Sequence, residues 1–163
     1  MERERERIAA AIASVERTCG ERPRGWYGRY GSSVNTRPLL VEKGRFYYDL
    51  DAYNDELPYW TKVAGRDHLV IPYSLATNDV KSIRGGIATG REFFDFLYAE
   101  VASMPRMMLI GLHPRIVGHP TRASGLEAFI DCLAANRGVW ICRRSDIASH
   151  WRTHHPSTDR ALV

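Results

Sequence analysis

The sequence contains few cysteines, no long apolar run and no cluster of basic charge, and each shortage excludes a class of protein. Its three cysteines, Cys19, Cys132 and Cys142, are widely spaced and form no Cys-x-x-Cys pair, which argues against a zinc ribbon and a disulfide framework. No run of about 18 apolar residues is present, so the sequence predicts no transmembrane helix and no membrane partner. The simplest expectation is a cytoplasmic protein.

The charged residues are of mixed sign. Lysine and arginine number 23 against 19 aspartates and glutamates, which leaves a net charge of +4. The basic residues are dispersed among acids and do not form a stripe with aromatic residues, so nucleic acid is not predicted as a partner. So small a surplus fits an anionic small-molecule substrate or plain solubility.

Helical and strand patterns alternate along the chain. Helices are predicted over 2–17, 38–42, 90–103, 123–136 and 145–151, and strands over 25–30, 46–51, 68–74, 107–113 and 139–142. This alternation indicates an α/β fold with mostly parallel strands. Because five strands do not close a barrel of the usual eight, we expect a partial (β/α) barrel over 1–152, followed by a polar tail over 153–163.

The helical spacing also predicts which side chains face the core. The inward residues should be Phe93, Phe94, Leu97, Val101 and Met104 in one helix, and Leu126, Phe129, Ile130 and Leu133 in the next. Two cysteines, at positions 132 and 142, fall in apolar patterns that suit buried thiols.

One histidine follows a buried strand. The apolar run from Met107 to Ile110 ends in Gly-Leu-His113-Pro, and a continuous apolar run is typical of a strand covered on both faces. The carboxyl ends of such strands form the mouth where barrel enzymes place their chemistry. His113 could give or take a proton there, since its unperturbed pKa lies near neutral. The alternative is a histidine that caps the strand by bonding to backbone.

Two aspartates end the strand Phe-Tyr-Tyr-Asp-Leu-Asp. Strand alternation places Tyr47, Asp49 and Asp51 on one face. Two acids on one face at a strand end favour a functional role: one could hold a histidine in one tautomer, and the other could bind a cation or an amide N–H. The alternative is a turn, since the residues from Asp51 to Asp55 have turn composition.

Three stretches resemble the polysaccharide deacetylase superfamily, and within it an allantoinase-like branch. They are GERPRGWYGRYGSSVNTRPLLVEKGRFYYDLDAYNDELPYW, LIGLHPRIVGHPTR and VWICRRSDIASHW, and the resemblance extends from Ile8 to Trp151. It implies a distorted α/β barrel that hydrolyses a C–N amide bond, in this branch that of a small cyclic ureide such as allantoin. The alternatives are a carbohydrate N-deacetylase and an inactive fragment or interaction module.

The chain also departs from that family. No pair of aspartates ends an early strand, and no histidine precedes His68, although deacetylase members use such residues. The chain therefore resembles the C-terminal portion of such an enzyme, and we expect it to be inactive alone. No cofactor is expected from this chain; zinc or another divalent metal would need ligands from a missing N-terminal half. Open strand edges lead us to expect a homo-oligomer or association with that half.

The resemblance implies roles for four residues. His113 would act as the general acid toward the leaving amine, and Asp49 or Asp51 would orient the acid or base. Arg22 matches an arginine-proline motif whose guanidinium would hold a carboxylate of the missing half. An arginine on a loop is the alternative for Arg22.

Four further residues are candidates for substrate binding. Trp26 could wall a pocket or belong to the core, and Asn78 could donate to a ureido or amide carbonyl or belong to a turn. Arg115 and Arg122 could bind an anionic group of the substrate.

The remaining histidines carry less weight. His68 is interpreted as structural, and His119 as a solvent-exposed loop residue. His150 and His154 have the spacing of a helical metal pair, but no acid completes it, so no metal site is predicted.

Overall fold

A computed structural model of the chain describes residues 1–103 and 106–157, and only the backbone at 82 and 83. It confirms an α/β fold with a mostly parallel sheet. The helices are α1 (Glu2–Cys19), α2 (Thr36–Lys43), α3 (Lys81–Arg84), α4 (Gly90–Ala102), α5 (Pro114–Val117), α6 (Pro120–Ala134) and α7 (Arg144–His154). The strands are β1 (Gly25–Trp26), β2 (Tyr48–Asp49), β3 (Tyr59–Val63) and β4 (Arg66–Val70).

The sheet has the strand order β1-β2-β4-β3. β1 pairs in parallel with β2, with Trp26 opposite Asp49, and β2 pairs in parallel with β4, with Asp49 opposite Val70. β3 is antiparallel to β4. Asp49 therefore lies at the carboxyl edge of the parallel strands, where the sequence placed it.

The hairpin of β3 and β4 was not predicted. Its two-residue turn consists of Ala64 at a φ of 50° and Gly65 at a φ of 77°. Both residues adopt the left-handed conformation that a type I′ turn requires, which Asn-Gly normally signals. Alanine at the first position hides that signal in the sequence.

Two predicted strands do not form ladders. Within 107–113 the backbone pairs at one position, where Gly111 forms an isolated parallel bridge with Asn78, and residues 139–142 form no strand. An apolar run indicates that a segment is buried. A hydrogen-bonded β-ladder also needs a neighbouring strand in register, and the run itself does not specify that neighbour. Both predictions of strand structure were therefore wrong.

The helix predictions are close to the observed bounds. Gly20 ends α1 in the left-handed conformation, at a φ of 75°. α4 begins with a capping box in which Thr89 and Glu92 exchange hydrogen bonds. α6 begins at Pro120, ahead of the predicted start, because proline at a first helical position loses no hydrogen bond. α7 continues to His154, into the predicted tail.

The chain divides into two compact units. Unit 1 comprises Met1–Pro72 and Arg143–Val163, and unit 2 comprises Tyr73–Cys142. The core of unit 1 contains Ile8, Ile12, Leu39, Leu40 and Phe46, and that of unit 2 contains Phe93, Leu97, Val117 and Phe129. Within the described residues, no helix combines the length and the apolar character that crossing a membrane requires.

The core of unit 2 matches the helical prediction with exceptions. Ile130 is 48% exposed, since it follows Phe129 and points about 100° away around α6. Cys132 and Cys142 are partly exposed instead of buried. Met104 lies outside the described residues.

Helices α4 and α6 meet at two glycines. A Cβ atom at Gly90 would collide with the carbonyl oxygen of Thr121, and one at Gly125 would collide with that of Gly90. The absence of both side chains lets the two backbones touch at the start of α4.

Candidate active site

Unit 2 holds His113 against a buried carboxylate. His113 Nδ1 lies 2.6 Å from Asp79 Oδ1, and the backbone N–H of His113 donates to Asp79 Oδ2 at 2.7 Å. The side chain of Asp79 is fully buried, whereas that of His113 is 23% exposed. A carboxylate only accepts hydrogen bonds, so Nδ1 carries the proton and Nε2 remains for exchange with a bound molecule.

The fold of the 73–80 loop places Asp79 under His113. Asp79 N donates to Gly111 O at 2.9 Å, and Gly111 N donates to Thr77 O at 3.1 Å. The Thr77 hydroxyl donates to Leu109 O. These bonds join the loop to the chain just before His113 and fix the separation of acid and histidine.

Gly111 allows this close approach. A Cβ atom built at Gly111 would collide with the hydroxyl of Tyr73 and the side-chain amide of Asn78. A larger residue would displace one or both of these side chains, and Asn78 directly precedes Asp79.

The acidic partner of His113 is Asp79, which differs from the expectation. The sequence analysis expected Asp49 or Asp51 to fix the tautomer of His113, and the structure shows Asp79 in that position. The reason is the register of the two segments. Asn78 pairs in parallel with Gly111, so Asp79 and His113, which follow these two residues, come close together.

Unit 1 contains a second buried carboxylate. The side chain of Asp49 is fully buried and accepts from Arg37 Nε at 2.7 Å, Arg37 Nη2 at 3.0 Å and the Asp51 backbone N–H at 2.9 Å. His68 Nε2 lies 2.8 Å from Asp49 Oδ2, and His68 is buried in β4. This placement agrees with the structural interpretation of His68.

These contacts set the ionisation of Asp49. Burial alone would raise the pKa of the carboxyl, but the hydrogen bonds from His68 and Arg37 outweigh it and bring the pKa to about 2. The same bond to Asp49 raises the pKa of Arg37, against the opposing effect of burial. Asp49 is therefore a fixed anion held by a bidentate arginine.

The Asp51 carboxylate is bound by the loop after β1. Gly28 N donates to Asp51 Oδ1 at 2.7 Å, and the Ser32 hydroxyl donates to Oδ2 at 2.5 Å. Arg37 Nη2 also donates to the Asp51 carbonyl at 3.2 Å. Asp49 and Asp51 are thus joined through one arginine, and Asp51 stays partly exposed.

Strained backbone lies beside Asp51. Arg29 and Tyr30 have φ values of 44° and 67°. Consecutive non-glycine residues in this conformation are costly and concentrate at functional sites. Nearby, Tyr27 and Tyr53 share a hydrogen bond of 3.2 Å, and burial, followed by this bond, raises the pKa of Tyr27.

Arg22 lies at the other edge of the sheet. It precedes β1, and its Nη2 lies 3.4 Å from the carbonyl of Gly44, which precedes β2. The expected convergence of Arg22 with Asp49 is not seen: Arg37, which the sequence analysis did not single out, binds Asp49. Arg22 precedes β1 and Asp49 ends β2. In neighbouring parallel strands these positions lie at opposite edges of the sheet. The catalytic role of Arg22 stays a prediction.

Trp26 and Asn78 are two of the four candidates for substrate binding. Trp26 is half-buried, packs on the core of unit 1 and meets Phe46 edge-on, with centroids 5.8 Å apart. Asn78 is buried, donates to the Tyr73 hydroxyl at 3.0 Å and accepts from Val80 N at 2.9 Å.

The two arginines of unit 2 lie on helices. Arg115 is exposed on α5, immediately after His113 and Pro114. Arg122 donates to the carbonyl of Ile116 at 3.3 Å from the first turns of α6. The substrate-binding roles of all four residues stay predictions.

No metal centre is assigned within the described residues. Among positions 1–103 and 106–157, no group of three or more histidine, cysteine, aspartate or glutamate side chains is arranged to hold a metal ion. The rings of His150 and His154 on α7 lie 4.4 Å apart between centroids and are tilted by 39°.

Comparisons with known proteins identify the family. No family model matches the sequence. A Schizosaccharomyces pombe protein named as a polysaccharide deacetylase is 34% identical over 181 aligned positions, covering 95% of this chain and 56% of the relative. The crystal structure of PuuE allantoinase superposes with a TM-score of 0.84 at 44% identity, covering 96% of this chain and 55% of that one. The chain belongs to the polysaccharide deacetylase superfamily.

A further structure supports the same assignment. A Pseudomonas aeruginosa PAO1 protein named as a polysaccharide deacetylase gives a TM-score of 0.83 at 43% identity, covering 96% of this chain and 55% of that protein. The fold predicted by resemblance, a portion of the deacetylase-type α/β fold, is confirmed. The chain spans little more than half the length of the deacetylase-superfamily proteins that it matches.

Proposed function

We propose that this chain is part of a hydrolase that cleaves a C–N amide bond in a small cyclic ureide such as allantoin. The observation that carries the proposal is the pairing of His113 with the buried carboxylate of Asp79 at 2.6 Å. The likeness to PuuE allantoinase, at 44% identity, supports the choice of a ureide.

In the proposed reaction His113 is the general acid. Water attacks the amide carbonyl, and the tetrahedral intermediate collapses as its C–N bond breaks. The imidazolium of His113 gives its Nε2 proton to the departing nitrogen, which leaves as a neutral amine or amide. The Asp79 carboxylate orients the ring and stabilises the imidazolium before transfer. The base that activates the water is not assigned to a residue of this chain.

A carbohydrate N-deacetylase is the second candidate. It is favoured by the names of the Schizosaccharomyces pombe and Pseudomonas aeruginosa relatives, the latter 43% identical. The chemistry at the amide is the same, and the candidates differ in the shape of the site: a small ureide needs a closed pocket, whereas a sugar polymer needs an open groove.

The experiment is a chimera in which this chain replaces the matching part of PuuE allantoinase. We expect the chain alone to be inactive and the chimera to hydrolyse allantoin. His113→Ala in the chimera should lower kcat by roughly 10²–10⁴-fold with little change in binding. Cys132→Ala is the matched control and should retain activity.

The outcomes separate the candidates. Acetate release from N-acetylglucosamine oligomers, without allantoin hydrolysis, would favour the deacetylase. A folded chimera that hydrolyses neither substrate, or one in which His113→Ala retains full activity, contradicts the proposed role of the dyad.

A further inference from the structure

An arginine-lined cleft lies at the amino edge of the sheet in unit 1. Its volume is about 390 Å³, within the range of small-molecule sites, and its walls are Glu21, Arg22, Pro23, Arg24, Arg45 and Tyr47. One wall precedes β1 and the other precedes β2. The two run side by side, since Tyr47 N donates to Arg24 O at 2.6 Å.

The cleft is separate from the carboxylates already described. Asp49 and Asp51 lie at or beyond the carboxyl end of β2, whereas Arg45 and Tyr47 precede that strand. The cleft therefore opens at the opposite edge of the parallel strands.

Positive charge dominates the walls. Three arginines and one glutamate, Glu21, line the cleft, and Arg22 Nη1 also lies 3.4 Å from the Glu16 carboxylate. Within the described residues, the side chains of Arg24 and Arg45 form no ion pair or hydrogen bond, although Arg24 lies over the Tyr47 ring at 5.6 Å. Arg152 also lies over this ring, at 5.4 Å, and donates to Tyr47 O at 2.6 Å. Like charges gathered in this way repel each other until an anion binds.

Two further details favour a bound anion. Arg45 has a φ of 68°, a left-handed conformation that costs a non-glycine residue stability and is concentrated at functional positions. Arg22 Nε is buried and, within the described part of the chain, has no hydrogen-bond partner. The guanidinium of Arg22 lies over the Phe46 ring at 5.9 Å. Its Nη1 and Nη2 make only long contacts of 3.4 Å, with Glu16 Oε1 and Gly44 O, which an anion could replace.

We propose that this cleft is a binding site for a phosphate group, either free phosphate or the phosphate of a small metabolite. A tetrahedral dianion can accept from several guanidinium groups at once, which matches three arginines around one cleft. The proposal does not involve His113 or Asp79, and it gives Arg22 a different role from the catalytic one predicted from the sequence.

The test is calorimetric titration of the purified chain with inorganic phosphate at constant ionic strength. We expect saturable binding to one site. The variant Arg24→Gln with Arg45→Gly should weaken it about ten-fold or more, since charge-assisted hydrogen bonds are lost. Glycine at position 45 suits the observed φ, so this change should not unfold the chain. Circular dichroism checks the fold of each variant.

The double variant Arg91→Gln with Arg137→Gln is the matched control, because it also removes two positive charges. Arg91 is 80% exposed on α4, and Arg137 is exposed after α6; both belong to unit 2 and neither lines the cleft. Phosphate binding should be unchanged in this variant. An equal loss in the control variant would show a net-charge effect and overturn the proposal. Absence of saturable phosphate binding, or equal binding by the folded cleft variant, would do the same.

Discussion

Removing the negative charge of Asp49 should destabilise unit 1 severely. Asp49→Asn keeps the size of the side chain but turns an amide N–H₂ toward Arg37 or His68, which offer donors of their own. The structure shows four hydrogen bonds within 3.0 Å at this buried carboxylate. Breaking a buried ion pair by removing one partner costs about 3–5 kcal/mol.

The lower end of that range is the better estimate. The side chain of Arg37 is 30% exposed, so after the substitution it can recover part of its solvation. We therefore expect a loss of about 3 kcal/mol in the free energy of unfolding. With a urea m-value of roughly 1–3 kcal/mol/M, this lowers the midpoint by about 1–3 M.

The assay is urea denaturation followed by tryptophan fluorescence. Three of the four tryptophans, Trp26, Trp60 and Trp151, belong to unit 1, so the signal reports mainly on it. Glu42→Gln is the control, because it breaks an exposed pair with Arg5 in the same unit, and exposed pairs contribute little to stability. A loss for Asp49→Asn no larger than that of Glu42→Gln would refute the reasoning.

Three further predictions concern stability and assembly. The hydrogen bonds to Asp49 hold its pKa at about 2, below the ordinary value of 3.8, so they contribute about 2 kcal/mol of stability that is present above pH 4 and is lost as the pH falls toward 2. Acid titration of stability should therefore be shallower in Asp49→Asn. Gly125→Ala should cost about 1–3 kcal/mol in thermal unfolding, because its methyl group would meet the Gly90 carbonyl; an unchanged melting temperature would contradict the close contact. The chain should associate as a homo-oligomer or with a deacetylase N-terminal portion, and monomeric light scattering over a wide concentration range, also with that portion added, would count against this.

The sequence predicted the fold class and the five longer helices, but not the short helices α3 and α5, because the signals of the longer elements are local. The end of α1 at Gly20 and the alternation of elements follow from spacing and turn chemistry within short windows. The position of His113 at the end of an apolar run was likewise a local inference, and the structure places it beside a buried acid.

The partners of these residues could not be predicted in the same way. Asp79 is 34 residues from His113, and Arg37 is 12 residues from Asp49 along the chain. Such pairs depend on which segments pair and in what register, and hydrophobic patterns constrain register only where one face is buried. The available signal for Asp79 was its place in a polar loop after an apolar strand, directly after Asn78, which the sequence analysis singled out.

The glycine at position 111 has a consequence for how this protein can tolerate mutation. Gly111 has no functional group and performs no step of the proposed reaction, yet a single added methyl group would collide with the side chains of Tyr73 and Asn78, and Asn78 directly precedes the Asp79 that holds His113. In a survey of all substitutions in the chimera, activity should therefore fall at this glycine as well as at the histidine two residues later.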